Sequence, residues 1–220
     1  MTARTGHAPG SKARPLNWPD DPETVTTADI DFEALAHVLA NTCRRGGCCR
    51  QYHSVAAHEV IVSEEIEALD GLGDENRRTL ALHALLANAP SAWLRGRLPD
   101  TQRAAERSGK LATGIEVAVR EAAGLDAVLD EEHGELLRFV TRMAASAERR
   151  DLLEPGSGSG PGSAAGIAFP PLKRRIRSIM PDKAAEAWLA RFRALAGPEA
   201  ERRGRIAAGA DADGADVAQD

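Results

Sequence analysis

The stretch Ser54–Leu69, SVAAHEVIVSEEIEAL, decides the class of fold. Ala57, His58, Ile61, Val62, Ile66 and Leu69 recur at helical spacing, with Glu59, Ser63, Glu64 and Glu67 between them, the pattern of a helix that turns one face to a core. Ser54 is a good N-cap, because its hydroxyl can accept from the free N–H groups of the first turn, and Gly71 is a stop. Upstream, Asp29–Arg44 (DIDFEALAHVLANTCR) puts Phe32, Leu35, Val38 and Leu39 on one helical face, with carboxylates early where the helix dipole favours them. Downstream, a helix is predicted from Asp74 through LALHALLANA; it is apolar on nearly all sides from Leu80 to Ala89, which suits the centre of a bundle, and Pro90 bends or ends it. Further helices are predicted over Thr101–Ala123 and Glu131–Leu153, and a last one carries Trp188, Phe192 and Leu195 before Gly197. No window alternates as a strand would and no repeat occurs, so the fold class is all-α.

The regions around these helices bound the organisation and the function. Residues 1–28 are polar and Pro-rich and read as a flexible lead in which only Leu16 and Trp18 look able to dock; 29–197 read as one domain. Within it, the Gly/Ser segment 156–166 (GSGSGPGSAAG) reads as a flexible loop, and 198–220 as a disordered tail. At 43% hydrophobic and 28% charged, the 220-residue chain has enough apolar content for a core, which excludes global disorder. A net charge of −5 supplies no basic field for nucleic acid, and the Lys173, Arg174, Arg175, Arg177 cluster has no interleaved aromatics for base stacking. No apolar run reaches the roughly 20 residues of a membrane span, and the start has no apolar stretch, so a cytoplasmic location is expected. Cys43, Cys48 and Cys49 are an odd set without zinc-finger spacing and read as reduced thiols.

Four blocks carry a resemblance: Asp29–Ser63, ALLANAPSAWLRG (Ala84–Gly96), AERRDLLEP (Ala147–Pro155) and AWLARFRALAG (Ala187–Gly197). In order and spacing they resemble the HD-domain phosphohydrolases, in particular the small branch that removes phosphate from deoxynucleotides. The resemblance implies an HD-domain helical bundle and a divalent metal held by a His, an adjacent His-Asp pair and a distant Asp, an ion that would polarise a phosphoryl oxygen and lower the pKa of water. His58 matches the first ligand, but the His-Asp pair falls on Ala87 and Asn88, and the distant Asp, ten residues before Asp151, on Thr141. The acids that follow the pair in the family fall on Ser91 and Gly96, and the histidine after Gly-Gly on Cys48; Asp and Glu are absent from Leu80 to Pro99, so a shifted register does not restore the site.

What remains is a candidate binding site of Arg44, Gly47, His58 and Asn88. Arg44 matches an arginine that lies near substrate in the family; with Arg45 and the Gly46-Gly47 turn it could hold a phosphate through its planar fork and free backbone N–H groups, the alternative being an ordinary surface ion pair. His58 reads as a hydrogen-bonded core or pocket histidine, or as a remnant ligand, and His83, His53 and Cys48 are the candidates for a relocated metal site. His37 and His133 read as helix-surface residues, and Trp93 and Trp188 as packing. The expectation is a pseudoenzyme that binds a nucleotide, a phosphate ester or a protein, with no cofactor. The alternatives are an active metal-dependent nucleotide phosphohydrolase with relocated ligands, and a structural subunit that forms a homo-oligomer or pairs with an intact HD homologue.

Overall fold

A computed structural model of the chain describes residues 25–94, 102–125, 129–154, 169–197 and 200. Among the described residues seven helices follow one another: α1 Phe32–Asn41, α2 Val55–Glu67, α3 Asp74–Leu86, α4 Ala89–Leu94, α5 Gln102–Ala123, α6 Glu131–Leu152 and α7 Pro181–Ala196. Among the described residues no strand occurs, only a single antiparallel bridge between Cys43 and Ser54. The chain is all-α. No helix of the described residues is long and apolar enough to cross a membrane.

The first helix is shorter than Asp29–Arg44. Asp31 takes the N-cap, its Oδ1 accepting from Glu33 N at 2.9 Å and Ala34 N at 3.0 Å, and residues Thr27–Asp29 form a separate 3-10 turn closed by a Thr26–Asp29 capping box. After Asn41 the chain leaves helical geometry and is pinched back on itself: Val55 N donates to Thr42 O at 2.9 Å and Arg44 N to His53 O at 2.8 Å. This pinch presents Arg44–Gly47 at the tip of a loop packed beside the start of α2.

Helix α2 begins at the Ser54 cap, which accepts from Ala57 N at 3.1 Å, and it occupies the centre of the bundle against α1, α3, α6 and α7. Its environment corrects the expectation of one polar side. Glu59 and Ser63, expected outward, are completely buried, because neighbouring helices close over that side of the first turns of α2, whereas Glu64 is part-exposed and Glu67 exposed as expected. Ser63 Oγ donates to Ala81 O at 2.8 Å and accepts from Arg191 Nε at 3.0 Å, which ties α2 to α3 and α7. Helix α3 is buried without a break from Leu80 to Leu86, and the chain turns at Ala87–Asn88, leaving Pro90 in the first turn of α4, where its missing N–H costs nothing.

Helix α7 closes the other side. Trp188 and Phe192 stack at 5.7 Å, and Phe192 stacks on Phe32 of α1 at 4.1 Å, so Trp188 is packing as expected. Gly197 ends α7 with φ 77°, and Arg78 caps its last carbonyls, donating to Leu195 O at 2.7 Å. The extended segment 169–180 is held to α6 by Asp151, which accepts from Ile176 N at 2.9 Å and Arg175 Nη1 at 2.6 Å. The proposed lead up to residue 24, the loop 156–166 and the Trp93 side chain lie outside the described residues; of the tail, Ala200 is described, and it is buried.

Candidate functional site

Around the start of α2, four basic side chains converge on one carboxylate. Glu148 sits on α6, whose buried positions Val140, Ala144, Ala147 and Leu152 mark the inward face, and its side chain is fully enclosed. Its Oε1 accepts from His58 Nδ1 at 2.6 Å, His53 Nε2 at 3.2 Å and Arg44 Nε at 3.4 Å; Oε2 accepts from Arg45 Nε at 3.1 Å. Arg45 also donates from Nη2 to Ala145 O at 2.7 Å. Both arginines reach the same carboxylate because the loop runs left-handed, with φ 52° at Arg45, 61° at Gly46 and 84° at Gly47, a conformation glycine adopts freely and arginine only under constraint.

The 2.6 Å contact with the Glu148 carboxylate places a proton on His58 Nδ1. Burial holds the His58 pKa below its ordinary value, against the hydrogen bond to Glu148, which raises it. Arg44 Nη2 lies across the ring, 3.2 Å from Nδ1 and 3.1 Å from Nε2. Burial alone would raise the Glu148 pKa, but the hydrogen bonds from His53 and His58 and the nearby charge of Arg44 outweigh it and hold the group well below the carboxylate range. His53 Nδ1 is buried with no partner among the described residues.

One residue along α2, Glu59 is a second enclosed carboxyl. It accepts from Asn88 N and from Trp188 Nε1, each at 2.8 Å, and so anchors the α3–α4 corner. Burial pushes its pKa up to about 8, despite these hydrogen bonds.

That corner edges a cleft of about 790 Å³ between α3, α5 and α6. Ala87 and Thr141 both line it, with the apolar Val117, Leu129 and Leu137 and the cations Arg120, Arg138 and Arg142. Its acids are Glu116, Asp130 and Glu131. Glu116 is paired to Arg120, and Asp130 caps α6, accepting from His133 N at 2.8 Å and His133 Nδ1 at 2.6 Å. Among the described residues Arg138 pairs with an exposed Glu135 at 4.0 Å, and Arg142 lies over the Phe169 ring at 4.9 Å. Seven residues separate Thr141 from Glu148, two turns of one helix face, so cleft and cluster sit about 10 Å apart along α6.

Over 143 residues, 61% of this chain and 68% of its own length, a protein of Escherichia coli (strain K12) described as uncharacterized protein YfdR is 27% identical to it. The chain is similar to YfdR. It matches no protein-family model. The description of YfdR states no activity, so the chemistry rests on the geometry.

The structure brings Arg44 and His58 into contact, leaves Gly47 exposed in the turn above them, and joins Asn88 to the same region through Glu59. The Arg44 fork points inward, to Glu148 and His58. His83 is buried, its pKa lowered to about 4 by burial and by Arg120, while His37 is exposed and His133 half-buried. Among the described residues Cys43, Cys48 and Cys49 form no disulfide. Glu148 was not foreseen, although the spacing of Val140, Ala144, Ala147 and Leu152 is the signal that places it inside. As it stands, the donor set does not fit the divalent ion that an HD-type site implies. Both His58 nitrogens are engaged, Ala87 has no donor atom, and the Thr141 hydroxyl donates to Leu137 O at 2.8 Å. Among the described residues, no three His, Cys, Asp or Glu side chains are placed to hold a metal.

Proposed function

We propose that this chain is an HD-type pseudoenzyme that binds a nucleotide or related phosphate ester, without hydrolysing it, in the cleft between α3, α5 and α6. The observation that carries the reading is the lining of that cleft: Ala87 and Thr141 both line it beside Arg138 and Arg142, whose charges are loosely held. A volume of about 790 Å³ suits a small-molecule ligand. Arg138 and Arg142, one turn apart on α6, offer two planar forks to a phosphate. Val117, Leu129 and Leu137 give the uncharged part of the ligand an apolar wall.

The reading is tested by thermal unfolding of the full chain with deoxynucleoside monophosphates and with inorganic phosphate. A ligand that binds only the folded state at 100 times its Kd stabilises it by about 2.7 kcal/mol, and the paired substitution Arg138→Ala, Arg142→Ala should remove most of the shift. An unchanged shift in that variant removes the cleft from the proposal. Phosphate release from the same nucleotides with Mn, Co or Mg, lost on chelation, would replace it with the hydrolase reading.

A further inference from the structure

The basic segment 173–177 has no part in the cleft, yet it edges a second cavity. About 500 Å³ of space lies between Arg50 and Gln51 of the loop before α2, Asp151 and Leu152 at the end of α6, and Ile176, Arg177 and Ser178 of the extended segment. We propose that this cavity binds a small hydrophilic anion with two phosphate groups, a diphosphate or an ester of one, held by Arg50 on one wall and Arg177 on another. It shares no residue with the cleft between α3, α5 and α6 and lies about 15 Å further along α6, the rise from Thr141 to Asp151, so either reading can fail alone.

The walls are fixed before any ligand arrives. Arg50 N donates to Leu152 O at 2.9 Å and Arg50 Nη2 to Asp151 O at 3.1 Å, which joins the loop to the last turn of α6. Ile176 N donates to Asp151 Oδ2 at 2.9 Å, and Arg150 donates to Leu172 O and Arg174 O, each at 2.8 Å, which joins the extended segment to the same turn. Ser178 Oγ donates to Tyr52 O and closes the third side, between segment and loop. A cavity whose walls are bonded to one another loses little binding energy to ordering.

The charges favour an anion. Asp151, the carboxylate in the lining, keeps only 4% of its side-chain surface in solvent, and both its oxygens are taken. Oδ1 accepts from Arg150 Nε at 2.8 Å and Arg175 Nη1 at 2.6 Å, and Oδ2 from Arg150 Nη2 at 2.6 Å as well as from Ile176 N. These bonds, those of Arg150 above all, hold it well below the carboxylate range, so its one negative charge is already matched by two guanidinium groups. The α6 carbonyls that would repel an anion are covered by Arg50. Arg50 Nε itself lies 3.8 Å from an exposed Glu154, beyond hydrogen-bond reach. Arg177 is exposed and has no hydrogen bond or ion pair among the described residues. Both guanidinium groups thus keep N–H groups for a phosphate. A ligand with two phosphates engages both walls, whereas one phosphate engages a single wall. Leu152 and Ile176 are buried, so the surface offered to the rest of the ligand is polar, from Gln51 and Ser178.

The test is calorimetric titration of the full chain with sodium pyrophosphate in physiological salt, in wild type and in the Arg138→Ala, Arg142→Ala variant that lacks the cleft arginines. Pyrophosphate should bind in both, more tightly than inorganic phosphate. Adding Arg177→Gln to either should weaken binding by about tenfold or more, the loss expected when a charged hydrogen-bonding group is removed, with the melting temperature unchanged. Lys173→Gln removes the same charge from the same segment but outside the cavity, and should change the affinity by less than about twofold, because salt screens it. The inference is overturned by phosphate that binds as tightly as pyrophosphate, by an Arg177→Gln variant that binds as before, or by an equal loss in Lys173→Gln, which would leave only a diffuse positive field. Pyrophosphate binding that disappears with the cleft arginines overturns it too, while leaving the cleft reading intact. So does binding to phosphatidylserine vesicles in place of free pyrophosphate, which would give the basic segment, with the exposed Ile179 and Met180 beside it, to a membrane surface.

Discussion

Glu148 and Glu59 are both fully enclosed in the same bundle, yet their surroundings drive them in opposite directions. Glu148 meets two guanidinium groups and two imidazole N–H donors and stays ionised far below the usual range. Glu59 meets neutral N–H donors, from Trp188 and from Asn88, and burial raises its pKa to about 8. Enclosure is common to both. What separates them is whether the chain brings formal charge to the carboxylate, since hydrogen bonds from neutral groups offset only part of the desolvation.

Removal of the charged hub should have the largest effect. Glu148→Ala leaves two arginines facing each other without a counter-ion, a change that costs about 3–5 kcal/mol for an enclosed pair. The lower end is expected, because Arg44 and Arg45 keep 21% and 23% of their side-chain surface in solvent; urea unfolding measures it, and a cost below that of Glu59→Gln breaks the contrast. Glu59→Gln should cost about 1–3 kcal/mol, since its amide turns an N–H group toward one of the two donors.

The same pair differs in pH dependence. Glu59 has a folded pKa of about 8 against an ordinary 4.5, so its protonated form favours folding: its contribution is complete below 4.5 and is lost as pH rises through 8. Glu148 is depressed, so its contribution is present above its ordinary pKa of 4.5 and is lost as pH falls below it. His58 and His83, lowered from 6.5, add to stability only as pH rises toward 6.5. Between 6.5 and 8, wild-type stability should therefore fall and that of Glu59→Gln should stay flat; parallel curves in that window would mean that Glu59 is ionised throughout.

Smaller effects separate the local from the assembled. Ser54→Ala removes the α2 cap and should cost about 1 kcal/mol, read as a lower melting temperature. Ala87→Trp should change stability by less than about 0.5 kcal/mol, because the position is exposed. It should nevertheless abolish the response to nucleotide by filling the cleft. A response that persists moves the ligand elsewhere.

The helices were legible because their signals are short-ranged. Ser54 caps α2 as read, Gly197 ends α7, and Trp188, Phe192 and Leu195 share the buried face that their spacing predicted. The errors have the same origin. Glu59 and Ser63 look like the solvent face of an amphipathic helix until neighbouring helices close over that side of it, and Asp29–Arg44 reads as one helix until Asp31 caps it late and the Cys43–Ser54 bridge ends it early. Of the site, the sequence marked Arg44, Gly47, His58 and Asn88 but not Glu148, which stands among ordinary charged residues of a long helix.

Sequence alone therefore determined an all-helical chain, its caps and stops, and the lack of acidic donors between Leu80 and Pro99. Only the tertiary structure decided that a carboxylate ninety or more residues from His53, His58 and both arginines would become their common partner, and that Ala87 and Thr141 would share a cleft. The physical reason is range. Helix periodicity and capping act within a few residues, whereas the charge state of a buried group depends on which distant donors the packing of whole helices sets around it.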